Sequence, residues 1–228
     1  MNVSYPVKNG TIEHWDEMTA LWEHIFNSNK IDMSPRQTKI LLTESSISSA
    51  NNRKKIAEIL FEKFSFHSIG FGNQAALTLF QQGLTSGVVV NFHDDVTDIC
   101  PVNFYPIIKL VKRIPSSENE NLSREIFKIA KAVDAKARKE ILKRIVLLGD
   151  TDVEALTVEN EIEQLFLEQI LENDIEKTKI IKIRVDKFPT HNDKSFLGGA
   201  LLARVNKDKS EFWITRENYQ ENGANIFE

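Results

Sequence analysis

The chain has 228 residues, 41% hydrophobic and 27% charged, with 33 acids against 29 bases for a net charge of −4. That is enough apolar material for one large domain or two small ones, and the charge balance excludes a general drive toward nucleic acid or anionic lipid. The single cysteine, Cys100, excludes a disulfide framework and a cysteine-rich metal site, and no apolar run nears the roughly 18 residues of a membrane helix.

The start, Met1–Pro6, lacks the basic residues and apolar core of a secretory signal, so an intracellular protein is expected and the sequons at Asn2, Asn9 and Asn121 are incidental. Residues 12–26 read as a helix, with Met18, Leu21, Trp22, Ile25 and Phe26 at helical spacing. Lys39–Thr43 reads as a strand. Residues 51–64 form a second helix, capped by Asn51 or Asn52, with Ile56, Ile59, Leu60 and Phe64 near one face. Ser68–Phe71 is a short strand; Asn73 caps a helix over 74–82 that Gly83 stops. Val88–Asn91 and Val96–Val102 are antiparallel strands, and 104–110 is a candidate third. Ile114–Asn121 is polar and contains Pro115, which predicts a linker. Helices follow at 124–133 and 135–142, then a strand at Ile145–Leu148 ending in Gly149-Asp150. A Glu-rich helix lies within 153–172, a strand at 179–185, an apolar helix at 196–203 and a short helix at 216–221. Alternating strands and helices predict an α/β architecture.

The five histidines, at 14, 24, 67, 93 and 191, make no metal-binding pattern, and no phosphate-binding glycine motif or nucleophile elbow is present. The basic residues between Lys128 and Arg144 have no interleaved aromatics and read as a solvated helix face. Composition and spacing alone give a soluble α/β protein with no visible catalytic set.

Several stretches in order resemble actin and the actin-related proteins: Tyr5–Ile12 with Trp15-Asp-Glu-Met18, Lys39–Glu44 with Asn52–Glu62, Gln74–Leu77 with Gly83 and Thr85–Gly87, and Ile145–Gly149. Ile99–Val102, Asn173–Lys177, Lys182–Arg184 and Lys207-Asp-Lys209 followed by Phe212-Trp213, Thr215-Arg216, Tyr219–Glu221 and Gly223 resemble the branch of that family found in the actin branch-nucleating complex. The resemblance implies a reduced actin-like (ribonuclease H-like) α/β fold keeping the two inner subdomains. Residues 1–113 with 196–228 would form one, 123–195 the other, and 114–122 would be a linker replacing a small outer subdomain. The first phosphate hairpin and the other outer subdomain would precede Met1, and are expected to be absent.

The family grips ATP with glycine-bearing hairpins. Here the resemblance places Asn91, His93, Asp94 and Asp95 at the second hairpin, Gly149 at the adenosine loop, and Gln74 at the water-positioning glutamine. Side chains where the backbone should approach phosphate, and two acids facing it, imply a degenerate site: no cofactor, no metal and no catalysis. Partner proteins are expected instead, a second actin-related protein being one candidate, with no direct nucleic-acid contact, no membrane insertion and no filament formation. Phe80, Leu202, Val205 and Phe212 match the family's apolar cleft and form a candidate groove for an amphipathic helix. The expected role is a structural subunit of a larger cytoplasmic or cytoskeletal assembly, with cilium and nucleus as other settings. The alternatives are a residual ATP/ADP-binding switch and a regulator that binds actin or a helix.

Overall fold

A computed structural model describes residues 4–27, 33–170, 182–189 and 192–227. In chain order the first elements are β1 (Val7–Lys8), β2 (Thr11–Ile12), α1 (Trp15–Phe26), β3 (Lys39–Glu44), α2 (Ala50–Glu58), β4 (Ser68–Asn73) and α3 (Gln74–Gln81). Next come β5 (Ser86–Phe92), β6 (Val96–Asn103), β7 (Tyr105–Pro106), β8 (Lys112–Pro115), α4 (Leu122–Lys131), α5 (Ala135–Leu142), β9 (Ile145–Leu148) and α6 (Ala155–Gln169). β10 (Val185–Phe188), α7 (Asn192–Val205), β11 (Ile214–Thr215) and α8 (Arg216–Asn222) complete the chain. Two compact units result, Met1–Gly72 with Gly199–Glu228, and Asn73–Gly198.

In the first unit β1 and β2 form a hairpin through Asn9 and Gly10, whose φ of 49° and 74° are the left-handed pair of a type I′ turn. A three-stranded sheet runs β11–β4–β3. Trp22, Ile56, Leu60, Phe61, Phe66 and Ile69 are buried together, and Phe26 meets Phe64 and Phe66 edge-on at 5.1 and 5.0 Å. The cap of α2 is Ser49, whose side chain accepts the Asn52 N–H. Asn51 and Asn52, the expected caps, already lie in the first turn. After Glu58 the helix widens to a π turn over Ile59–Lys63, so the predicted helix over 51–64 changes its hydrogen bonding partway. Glu44, buried at the end of β3, pairs with Arg53 of α2. The hydrogen bond to Glu44 holds the Arg53 guanidinium protonated even more firmly than usual.

In the second unit the sheet order is β10–β9–β5–β6–β7, with β8 also pairing β6. β5 runs antiparallel to β6 and parallel to β9, and β9 runs parallel to β10. Successive side chains of β5 point to opposite faces, so each face takes its own helices. Val88 and Val90, with Ile99, Ile145 and Leu147, pack under Ile126, Phe127, Ile141, Leu142, Val158, Ile162 and Phe166 of α4, α5 and α6. Val89, with Cys100, Val102, Val146 and Leu148, packs under Ala75 and Leu79 of α3. Cys100 is a buried thiol.

Four expectations need correction. First, 104–110 is not a strand: Phe104 turns to φ 61°, Pro106 has no N–H to donate, and only Tyr105–Pro106 pairs, before a 3-10 turn at Ile108–Leu110. Second, 114–122 is not a linker. Ile114 is buried and opposite Thr97 in the β6–β8 ladder, and Ser116–Asn121 coil into a 3-10 turn held by Thr97 Oγ1 to Asn119 Oδ1 at 2.8 Å. Third, of the strand expected at 179–185, residues 182–184 are not in a strand and Val185 opens β10; residues 179–181 lie outside the described residues. Fourth, the boundary expected at 113 falls at Gly72, because β5 and β6 hydrogen-bond into the sheet that holds β9.

Candidate functional site

β5 and β6 are joined by the turn His93-Asp94-Asp95-Val96, closed by the His93 N–H donating to the Val96 carbonyl at 2.9 Å. None of its four residues has positive φ. The turn therefore needs no glycine, and its side chains occupy the surroundings of the backbone. Asp94 and Asp95 are exposed at the tip.

The turn is tied to the segment that follows β6. The Ser116 N–H donates to the Asp95 carbonyl at 2.9 Å, and Ser116 Oγ lies 3.3 Å from the His93 carbonyl. Asp98 is 2% exposed. Arg113 reaches it from the opposing position of β8, with Nε to Oδ1 at 2.6 Å and the second guanidinium nitrogen to Oδ2 at 2.7 Å. His93 Nε2 approaches the same Oδ2 at 3.3 Å. Burial alone would raise the Asp98 carboxyl, but the hydrogen bonds from Arg113 and His93 together outweigh it and hold the group below its usual range.

Asn91 is buried in β5, opposite Asp98 on one side and Leu148 on the other. Gly149 follows Leu148 with φ 109°, and its N–H donates to the Phe188 carbonyl at 3.0 Å. The ends of β5 and β9 thus bring Asn91, His93 and Gly149 to one end of the sheet. Gln74 opens α3 behind the Asn73 cap, which accepts the N–H groups of Ala75 and Ala76, as the sequence predicts. Ala75 shares an apolar cluster with Leu148, so the start of α3 faces the same end. Among the described residues no three His, Cys, Asp or Glu side chains group as a metal site would require.

The four candidate groove positions are spread over both units. Phe80 lies in the second; Leu202, Val205 and Phe212 lie in the first. Phe212 meets Trp213 edge-on at 5.1 Å and borders Gly70, so it is partly committed to its own unit's packing. Val205 is 58% exposed. The same helix exposes Phe196 at 70%, Leu197 at 46% and Leu201 at 43%, three residues that the sequence did not single out. Leu197, Leu201 and Val205 recur every four residues and form one stripe. Gly198 sets their direction. A Cβ there would sit 2.0 Å from the Leu77 carbonyl oxygen, so the glycine face is turned inward against α3. The pair Gly198-Gly199 was the available signal; which face it would turn inward was not.

The profile of the family described as Actin matches residues 1–115 and 104–228, two overlapping pieces that cover the chain. Actin-related protein 2 of Drosophila melanogaster is 29% identical over 320 residues, covering 100% of this chain and 80% of the relative. Actin-related protein 2 of Caenorhabditis briggsae is 27% identical, covering 98% and 80%. That of Arabidopsis thaliana is 25% identical, covering 99% and 81%. The 320 aligned positions outnumber the 228 residues here, so the Drosophila protein has stretches inside the matched span with no counterpart in this chain.

Proposed function

Because the chain belongs to the actin family, with an actin-like α/β fold, we propose that it works as a non-catalytic structural subunit of a multiprotein assembly. The likeness to Actin-related protein 2 in three organisms supports the actin branch-nucleating complex as that assembly, and the cytoskeleton as its setting. The two compact units would be the family's two inner subdomains.

The observation that carries this proposal is the glycine-free hairpin with two exposed acids at its tip. Its carbonyls at His93 and Asp95 face Ser116 of the same chain. Asp98 is engaged by Arg113 and His93. Exposed Asp94 and Asp95 would meet a polyphosphate with like charge. Phosphate sites depend on converging backbone N–H groups and a compensating cation. This turn instead presents two exposed carboxylates, and in this proposal Gln74 has no phosphate to serve. In this proposal Gln74, Asn91, His93, Asp94, Asp95 and Gly149 are positions of a former nucleotide site.

Denaturing the purified protein and measuring released adenine nucleotide tests it. Less than about 0.1 nucleotide per chain is expected, as for a site left empty at working concentration. Stoichiometric ATP or ADP would establish the residual switch instead. Sedimentation of native extract tests the subunit role: comigration with a large complex is expected, and a free small species would overturn it.

The exposed stripe on α7 favours a second, compatible role. Leu197, Leu201 and Val205 form an apolar helix face of the kind that takes up a partner's amphipathic helix. Leu202 and Phe212, of the first unit, would extend that proposed partner surface.

A further inference from the structure

Three segments of the first unit close around an open concavity of about 420 Å³ lined by Arg36, Ser65, His67, Arg216, Glu217 and Gln220, among others. Main-chain hydrogen bonds fasten them together. The His67 N–H donates to the carbonyls of Pro35 and Thr38 at 2.9 and 3.2 Å, and the Arg216 N–H donates to the His67 carbonyl at 3.0 Å. Ser65 holds φ 61°, a left-handed conformation that costs energy for a non-glycine residue and persists because its surroundings enforce it. The walls are therefore preformed.

Their charge is unusual for an acidic chain. Arg36 and Arg216 carry fixed positive charge against one acid, Glu217, in a protein of net charge −4. Among the described residues neither guanidinium takes part in a hydrogen bond or ion pair. His67 adds an imidazole whose Nδ1 lies 2.6 Å from Ser68 Oγ.

We propose that this concavity is a docking site for an acidic peptide segment of a partner protein, with Arg36 and Arg216 each receiving a carboxylate. Guanidinium forks match carboxylates in two-point geometry, which a lysine would not. A free anion would gain little, because a single solvent-exposed ion pair improves affinity by roughly fivefold at most. Occupancy therefore needs several contacts at once. An extended segment supplies them: carboxylates for the two arginines, and backbone groups for the Gln220 amide and the His67 ring. A preformed wall spares the ordering cost on this side of the interface. The site is separate from the hairpin and the α7 stripe, and it stands whether or not the subunit proposal does.

Fluorescence anisotropy on the full chain tests it, with a fluorescein-labelled alternating Glu-Ala octapeptide as probe and its Gln-Ala counterpart as control. Binding of the Glu peptide only is expected, weakening as salt rises from about 0.05 to about 0.2 M. The double variant R36E/R216E should lose roughly tenfold or more in affinity and gain binding of a Lys-Ala octapeptide. If the reversal disturbs the melting temperature, R36Q/R216Q supplies the same test without new charge, and an affinity loss at unchanged melting is expected. Failure of the Glu peptide to bind, equal binding by either double variant that melts normally, or displacement by inorganic phosphate at the peptide's own working concentration would overturn the proposal. The last result would assign a bare-anion site instead.

Discussion

Arg113 holds Asp98 by two guanidinium hydrogen bonds, 2.6 and 2.7 Å long, across the β6–β8 ladder. The pair ties the segment after β6 to the strand that leaves the His93–Val96 turn. Removing one partner strands a charge in a site that water barely reaches. Arg113→Gln is expected to cost about 2–4 kcal/mol, toward the low end of the range for broken buried pairs because the arginine itself is partly exposed. Urea midpoints measure it. In an Asp98→Asn background the same change should cost markedly less, and equal costs in both backgrounds would deny the coupling.

Acid should act through the same carboxyl. Asp98 in the folded chain sits below its ordinary range, so the unfolded chain binds its proton more readily. The stabilisation is complete above the ordinary carboxylate value of about 4 and is lost as pH falls through the lower folded value. Denaturation midpoints taken from about pH 6 down to about pH 2.5 should fall less steeply in Asp98→Asn than in the parent chain.

Magnesium and ATP should leave the melting temperature where it was. A ligand at a hundredfold excess over its Kd adds about 2.7 kcal/mol of stability, a shift of several degrees for a domain of this size. Differential scanning fluorimetry at millimolar ATP would reveal any such shift, and one above about 2 °C would contradict the proposed loss of the nucleotide site.

Two glycines should be costly to replace for different reasons. Gly198→Ala drives a methyl group into the Leu77 carbonyl and should cost 3 kcal/mol or more, by about the upper limit of overpacking penalties. Gly83→Ala meets nothing within 4 Å and pays only for its φ of 72°, about 1–2 kcal/mol. Chemical denaturation of both variants checks the ranking.

Leu201→Asp and Val205→Glu should leave stability within about 0.5 kcal/mol, as exposed positions do. Both should weaken capture of the chain by its assembly in native pulldown. Retained capture would remove the α7 stripe from the proposed interface.

Local signals carried much of the fold. Asn73 announced its helix because a cap needs only its own next three residues, and the β5–β6 pairing followed from two apolar runs separated by a short polar turn. The segment 114–121 was illegible because its structure is made elsewhere. Ser116 and Asn119 look like solvent-facing polar residues until the turn supplies the Asp95 carbonyl and β6 supplies Thr97 as partners. The Arg113–Asp98 pair is 15 residues apart in sequence and had no spacing to betray it. The helix over 196–203 is apolar on every side, so its pattern does not tell an exposed face from a buried one; the contact of Gly198 with Leu77, more than a hundred residues distant in sequence, decides which side faces out.

The Ser116 N–H hanging from the Asp95 carbonyl, with Asn119 latched to Thr97, makes the turn and the strand after it parts of one mechanical seam. Neither can loosen while the other stays zipped. Deuterium should therefore enter the amides of 93–97, 113, 114 and 116 in lockstep, governed by a single breathing event.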